Sequence, residues 1–240
     1  MKFLKEYKFT IIFVICLIVV IALLMFAEIS KENKKNDITE EPKQGEEVSN
    51  LIEPTKYQDI GDKYPIATIT MEDDSVIKLK LYPNVAPNTV ENFIYLANSG
   101  YYDGLKFHRI LAGFMMQGGD PKGDGTGGPG YSIVGEFSSN GYKNDIKHEK
   151  GIISMARAKG KDTAGSQFFI MFDKDASLDG DYAAFGEVIE GIEVVEKLEK
   201  TEVYQEEGSY EKSTPVNPPV IKNIKVETFG IKYDEPQRIS

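Results

Sequence analysis

Apolar residues are distributed along this chain in three ways, and each way predicts a different element. From Phe9 to Ala27 every residue is apolar except Thr10. At 1.5 Å rise per residue that run reaches about 28 Å, close to a bilayer core of ~30 Å. It predicts a transmembrane signal anchor over 9–27, behind a short basic tail over 1–8 that carries Lys2, Lys5 and Lys8. Residues 28–60 are rich in Glu, Lys, Asn and Asp and hold few large apolar side chains. Such a segment cannot bury enough surface to offset its ordering entropy. It reads as a flexible charged tether whose later part (Leu51, Ile52, Tyr57, Ile60) is suited to pack locally on the domain beyond it.

After residue 60 the pattern is that of a globular domain over 61–232, with a C-terminal tail over 233–240. Ile77, Leu79 and Leu81 alternate with Lys78 and Lys80, the period of a half-buried strand. Val90, Phe93, Ile94 and Ala97 recur at helical spacing, and Gly100 comes next as a stop. Asn88 and Glu91 stand like the two partners of a capping box. A second helix is predicted over 192–199, with Ile192, Val195 and Leu198 on one face. Short apolar runs at 106–111, 114–117, 151–156 and 166–172 alternate with Gly-rich turns, and 219–229 reads as a closing strand. Many short strands with two helices predict a mainly β fold, a closed barrel capped at its ends.

Charge and composition narrow the chemistry. The formal net charge is -10, and outside the first 27 residues there are 25 basic against 37 acidic residues. A nucleic-acid binder needs clustered positive charge to displace counterions, and no such cluster occurs. Cys16 is the only cysteine and lies inside the apolar run, so no disulfide framework and no thiolate metal site is expected within one chain. With only His108 and His148, a three-histidine zinc site is excluded. No metal and no cofactor is expected.

Two short motifs carry no function in this context. Gly123-Asp124-Gly125-Thr126-Gly127-Gly128 satisfies G-x-G-x-x-G, but Pro129 and Gly130 stand where a dinucleotide site needs a helix to open. Gly165-Ser166-Gln167 lacks the second glycine of a nucleophile elbow and precedes a strand-like run, so Ser166 reads as structural.

Four blocks, in order, carry a family resemblance. Phe107-His108-Arg109-Ile110-Leu111-Ala112-Gly113-Phe114-Met115-Met116-Gln117-Gly118-Gly119-Asp120 resembles the signature of the cyclophilin family. So do Ser154-Met155-Ala156-Arg157-Ala158, Gly165-Ser166-Gln167-Phe168-Phe169-Ile170, and the block from Leu178-Asp179-Gly180 to Phe185-Gly186. The likeness covers roughly Tyr64 to Gly230 and is greatest to the shorter bacterial form. It implies an eight-stranded antiparallel barrel closed by two helices, and peptidyl-prolyl cis-trans isomerase activity on X-Pro-containing polypeptides.

By the same resemblance, Arg109 is the catalytic arginine directed at the prolyl nitrogen, and Gln117 helps fix its pose. Phe114, Met115, Phe169 and Leu178 line the proline pocket. Ala156, Arg157 and Ala158 lie along the peptide, with the Arg157 backbone bonding the residue before proline. Gln167 sits beside the groove, and Thr126 and Gly127 border a shallower neighbouring pocket. Taken alone, Phe114, Met115 and Phe169 read as core residues, and Arg109 as a surface charge. The order and spacing of the blocks reverse that for Arg109, Phe114, Gln117 and Phe169. Three positions depart from the family: Ser177 stands where Trp is frequent, Tyr182 where His is frequent, and Arg157 where Asn is common. Tyr182 keeps an aromatic wall. Ser177 removes a large apolar wall from the pocket rim, which weakens the expectation of tight cyclosporin binding.

These readings make the chain a monomeric isomerase that assists folding of exported proteins, held to the lipid bilayer through residues 9–27. The basic tail ahead of the apolar run resembles an export signal and puts the domain outside the cytoplasm. The alternative location is secretion after cleavage, for which Met25-Phe26-Ala27 supplies one of the two small residues an A-x-A site needs. The alternative function is a non-catalytic module of the same fold that holds Pro-containing segments. Intact Arg109, Phe114 and Gln117 favour the enzyme.

Overall fold

The alternation at Ile77, Leu79 and Leu81 builds the middle of a sheet. The structure is a computed structural model and describes residues 56–239. β1 (Ile66–Met71) and β2 (Val76–Leu81) form an antiparallel pair in which every second side chain is buried. They are joined by β3 (Arg109–Leu111), β4 (Met115–Gly118), β5 (Ile152–Met155), β6 (Phe168–Met171), β7 (Ala184–Glu190) and, last in the chain, β10 (Ile221–Glu227). The eight lie in the order β10-β1-β2-β7-β5-β6-β4-β3, all neighbours antiparallel. Two shorter strands, β8 (Val203–Gln205) and β9 (Lys212–Pro215), pair separately as a hairpin. The helices are α1 (Pro87–Asn98) and α2 (Ile192–Glu199), the latter at the predicted residues.

The sheet corrects the expected closed barrel. It is open and curled, with β3 and β10 as its two edges. The chain just ahead of each edge strand does approach the other: Lys106 bridges Val220, and Phe107 N donates to Pro219 O at 2.9 Å. A ladder does not extend from that bridge, for two reasons. Pro218 and Pro219 have no N–H to give, and β3 is only three residues long.

Phe93 of α1 sits at the centre of the core. Its ring lies 5.3–5.5 Å from those of Tyr102, Phe168 and Phe185, all four fully buried. Each such ring contributes about 1.5–3 kcal/mol by leaving water. The start of α1 differs from the predicted capping box. Pro87 opens the helix, its missing N–H costing nothing there. Asn88 instead bonds Gln237, and Glu91 takes hydrogen bonds from Lys56 and Tyr57. The open N–H groups are met from outside the helix: Glu136 accepts from Asn88 N at 3.1 Å and Thr89 N at 2.7 Å.

The anchor predicted over 9–27, the basic tail and most of the tether lie outside the described residues. Among the described residues no helix is long and apolar enough to cross a membrane. At the other end Arg238 stacks on Tyr95 and Tyr131, and Ile239 bridges Ser132.

Candidate active site

Strand periodicity creates the site. On β4, β5 and β6, Met116, Ile153, Met155, Phe168 and Ile170 turn into the main core. Their neighbours Met115, Ile152, Phe169 and Met171 turn to the opposite face and, with Ala184, form a second, smaller apolar cluster. Phe114, Leu178, Ala156 and Tyr182 pack on that cluster from its rim. A hollow of about 210 Å³ remains among them, lined by Arg109, Phe114, Met115, Gln117, Ala156, Arg157, Phe169, Leu178 and Tyr182. Its floor is buried and apolar, with Met115 and Phe169 almost inaccessible to water. A larger cleft of about 620 Å³ adjoins it and holds Thr126, Gly127, Ala158 and Gln167. Gln117, Ala156 and Arg157 border both. The structure therefore brings all thirteen predicted site residues to one surface.

The polar edge of the hollow is a chain of hydrogen bonds with a single direction. Arg109 and Gln117 face each other across the β3–β4 ladder. Arg109 Nη1 donates to Gln117 Oε1 at 3.2 Å, and Gln117 Nε2 donates to Gln167 Oε1 at 2.8 Å. Gln167 Nε2 donates to the carbonyls of Gly125 and Gly127 at 3.0 and 2.8 Å. Because carbonyls only accept, the Gln167 amide has one orientation here, and Gln117 inherits one too. Gln117 thus turns its oxygen, never its NH₂, toward the guanidinium.

The loop that anchors this chain is organised by Asp120. The carboxylate accepts from the backbone N–H of Lys122, Asp124 and Gly125. Burial works against its charge, but the backbone donors of Lys122, Gly127 and Gly125 outweigh burial and hold the carboxyl below the usual range. A Cβ on Gly127 would fall 1.9 Å from Asp120 Oδ1, so any side chain there would displace the carboxylate that organises the loop.

Below the hollow, His148 stacks on Phe169 with ring centroids 6.0 Å apart. Its Nδ1 lies 3.1 Å from Asp179 Oδ1 and its Nε2 3.1 Å from Ser154 Oγ. Burial pulls the imidazole pKa down against the opposing pull of Asp179. Ser154 is fully buried, so this Ser-His-Asp row supports the aromatic floor and offers no nucleophile. Over the rim, the Arg157 guanidinium covers the Tyr182 ring at 4.6 Å, and its Nε donates to Asp181 O at 2.9 Å.

One contact escapes the sequence reading. Glu211, from the β8–β9 hairpin, accepts from Arg109 Nε and Nη2, both at 2.7 Å. It comes after Glu206 and Glu207 in an acidic stretch that carries no periodic or motif signal. Only the return of the hairpin onto β3 singles it out.

Comparison with known proteins agrees with this geometry. The family profile described as "Cyclophilin type peptidyl-prolyl cis-trans isomerase/CLD" matches residues 66–226. Peptidyl-prolyl cis-trans isomerase B of Bacillus subtilis is 48% identical over 136 residues, covering 57% of this chain and 92% of that protein. A peptidyl-prolyl cis-trans isomerase of Helicobacter pylori is 42% identical over 161 residues, covering 65% of this chain and 95% of that one. A crystal structure of a Cryptosporidium parvum cyclophilin type isomerase, in the presence of the dipeptide Ala-Pro, superimposes with a TM-score of 0.59. Its identity is 33%, over 68% of this chain and 98% of that one. On its profile, its relatives and its fold, this chain belongs to the cyclophilin-type peptidyl-prolyl cis-trans isomerase family.

Proposed function

We propose that this isomerase seats the ring of a substrate proline in the hollow over Phe169 and Met115, and that Arg109 acts on the prolyl nitrogen. Rotation about a peptide bond is opposed by ~18–20 kcal/mol of lost resonance. Before proline the two isomers differ by only ~0.5–1 kcal/mol but exchange in about tens to hundreds of seconds. Acceleration to ~10 ms needs about four decades, or ~5.4 kcal/mol, and no covalent step. In the twisted state the prolyl nitrogen becomes pyramidal and regains its lone pair. An N–H of a fixed, always-charged guanidinium at the edge of a hollow with an apolar floor stabilises that lone pair more than it stabilises the planar ground state.

The observation that carries this reading is the hydrogen-bonded row ending on Arg109 beside an apolar floor. The row and Glu211 occupy one edge of the guanidinium and part of Nη1, which leaves N–H groups at its outer end for a ligand. Ala156 and Arg157 border both hollows and Ala158 the larger one, where a substrate chain would pass. Thr126, Gly127 and Gln167 border the space for a neighbouring residue. A ligand of this chemistry is an X-Pro peptide, as the Ala-Pro dipeptide crystallised with the Cryptosporidium relative illustrates for that protein.

The physiological setting is part of the same proposal. The apolar run at 9–27 anchors the chain in a bilayer, and the isomerase works as a monomer outside the cytoplasm on exported polypeptides. Fractionation tests this directly. Full-length protein is expected in the membrane fraction, released by detergent and clipped by protease added to intact cells. A soluble mature form beginning near Glu28, or a domain resistant to protease until lysis, contradicts it. Peptide binding is tested with Phe114→Ala, which is expected to weaken X-Pro peptide affinity and turnover together. Unchanged affinity in a folded variant contradicts the pocket.

A further inference from the structure

The β8–β9 hairpin stands apart from the eight-stranded sheet and yet touches the reactive arginine. Glu211 grips the Nε–Nη2 edge of Arg109 with two bonds of 2.7 Å, the side-on pairing in which a carboxylate matches the guanidinium plane. Gln117 holds Nη1 from the other side at 3.2 Å. Glu211 does not line the hollow, so its carboxylate approaches the guanidinium from outside the substrate space.

The hairpin is built to present it. Val203 pairs with Pro215 and Tyr204 with Thr214, and a register shift before Gln205 twists the tip. Ser209 closes the turn: its Oγ donates to Glu211 O and accepts from Glu211 N, both at 3.1 Å. Gln205 Nε2 bonds Ser209 O at 2.6 Å. The bonds from Arg109, working against partial burial, hold the Glu211 carboxyl at about 2, so the clamp is charged on both sides at neutral pH.

We infer that Glu211 is a positioning residue for the isomerase reaction, fixing the plane of the Arg109 guanidinium so that its free N–H groups face the hollow. The inference rests on the reading of Arg109 as the group acting on the prolyl nitrogen. A carboxylate beside the arginine lowers the net positive potential at the hollow, so charge alone gives no reason for it. Geometry does. An arginine on a flexible stem spends little time in any one orientation, and a two-sided clamp removes that freedom before the substrate arrives. Gln117 fixes one point of the plane, and Glu211 fixes the opposite edge.

The test uses the full-length chain in detergent micelles, with an X-Pro peptide as substrate. Glu211→Gln is expected to lower kcat about tenfold while KM stays within about twofold. Glu211→Asp, one methylene short but still charged, is expected to recover part of that loss. In an Arg109→Ala background Glu211→Gln is expected to cost nothing further, since no guanidinium remains to orient. A second readout needs no variant to fold: in the wild type, the Arg109 Nε–H proton is expected to exchange slowly with solvent and to give a resolved NMR resonance. If Glu211→Gln isomerises at or above the wild-type rate while Arg109→Ala is inactive, Glu211 does not position Arg109, although the reading of Arg109 stands. A rapidly exchanging Arg109 Nε–H overturns the clamp in the same way. Wild-type activity in Arg109→Ala overturns both.

Discussion

Gln117 Nε2 lies 2.8 Å from Gln167 Oε1, and that single contact connects the arginine edge of the hollow to the glycine-rich loop at 125–127. The loop carbonyls orient Gln167, Gln167 orients Gln117, and Gln117 presents its oxygen to Arg109. The loop that carries G-x-G-x-x-G therefore contributes through its backbone carbonyls, not through any helix.

Breaking this row in the middle has a defined cost. Gln167→Ala removes the bond from Gln117 and both bonds to the loop carbonyls, and frees the Gln117 amide to flip. The variant is expected to turn over X-Pro peptides about fivefold more slowly, with a thermal midpoint lower by about a few degrees. Steady-state kinetics beside a thermal melt check it. A wild-type kcat would mean that Gln117 is oriented by something else.

The rim opposite Arg109 bears on inhibition. Ser177 is exposed on the turn that carries Leu178, and its Oγ donates to Asp175 Oδ1 at 2.6 Å. No large apolar wall stands there, so cyclosporin is expected to bind weakly. Ser177→Trp adds an aromatic surface beside Leu178 and is expected to tighten cyclosporin by ~1–2 kcal/mol. Isothermal titration of both proteins decides this. Tight binding by the wild type, or no gain in the variant, contradicts the assignment of the rim.

Stability is expected to depend on pH through Glu136. Burial pushes this carboxyl up to about 6, against the bonds from Thr89 and Asn88 that favour its charge. A carboxyl whose folded pKa lies above its unfolded value of 4.5 stabilises the fold most below 4.5, and that contribution is lost as pH rises through about 6. The difference across this window is about 2 kcal/mol. Glu136→Gln does not titrate, so its denaturant midpoint is expected to lack this component of the wild-type pH slope between pH 4.5 and 6. An identical slope in the two proteins would show that Glu136 titrates normally.

Much of this architecture is legible in the chain, and the exceptions have physical causes. The strand at Val76–Leu81 emerges from periodicity because every second side chain is buried, and the helix at Ile192–Glu199 emerges although only Val195 of its apolar face is buried, with Leu198 half-buried and Ile192 exposed. The start of α1 departs from expectation because Asn88 and Glu91 have the spacing of a capping box without its contacts. The cap comes from Glu136, far away in sequence, and both residues serve other segments. Closure of the barrel is not encoded in any one strand signal, which says nothing about an edge partner. Pro218-Pro219 weighs against a ladder only once the strand order is known. Eleven of the thirteen expected site residues lie in the four blocks and Thr126 and Gly127 lie between them, whereas Phe169 or Met115 alone looks like core. Indeed both are buried, and their role arises because alternate residues of one strand serve opposite faces. Glu211 has no local signal at all.

Arg109 is expected to act in the twisted state more than in the ground state, and the kcat and KM of Arg109→Ala on an X-Pro peptide decide this. The planar amide nitrogen has little lone pair to offer, so its bond to Arg109 strengthens only on twisting. The variant is expected to keep its thermal midpoint and lose roughly two decades or more in kcat, about 2.7 kcal/mol, with KM changed far less. Arg109→Lys is expected to recover little, since an ammonium keeps the charge and loses the planar fork. A folded Arg109→Ala that isomerises the peptide at the wild-type rate would contradict the account.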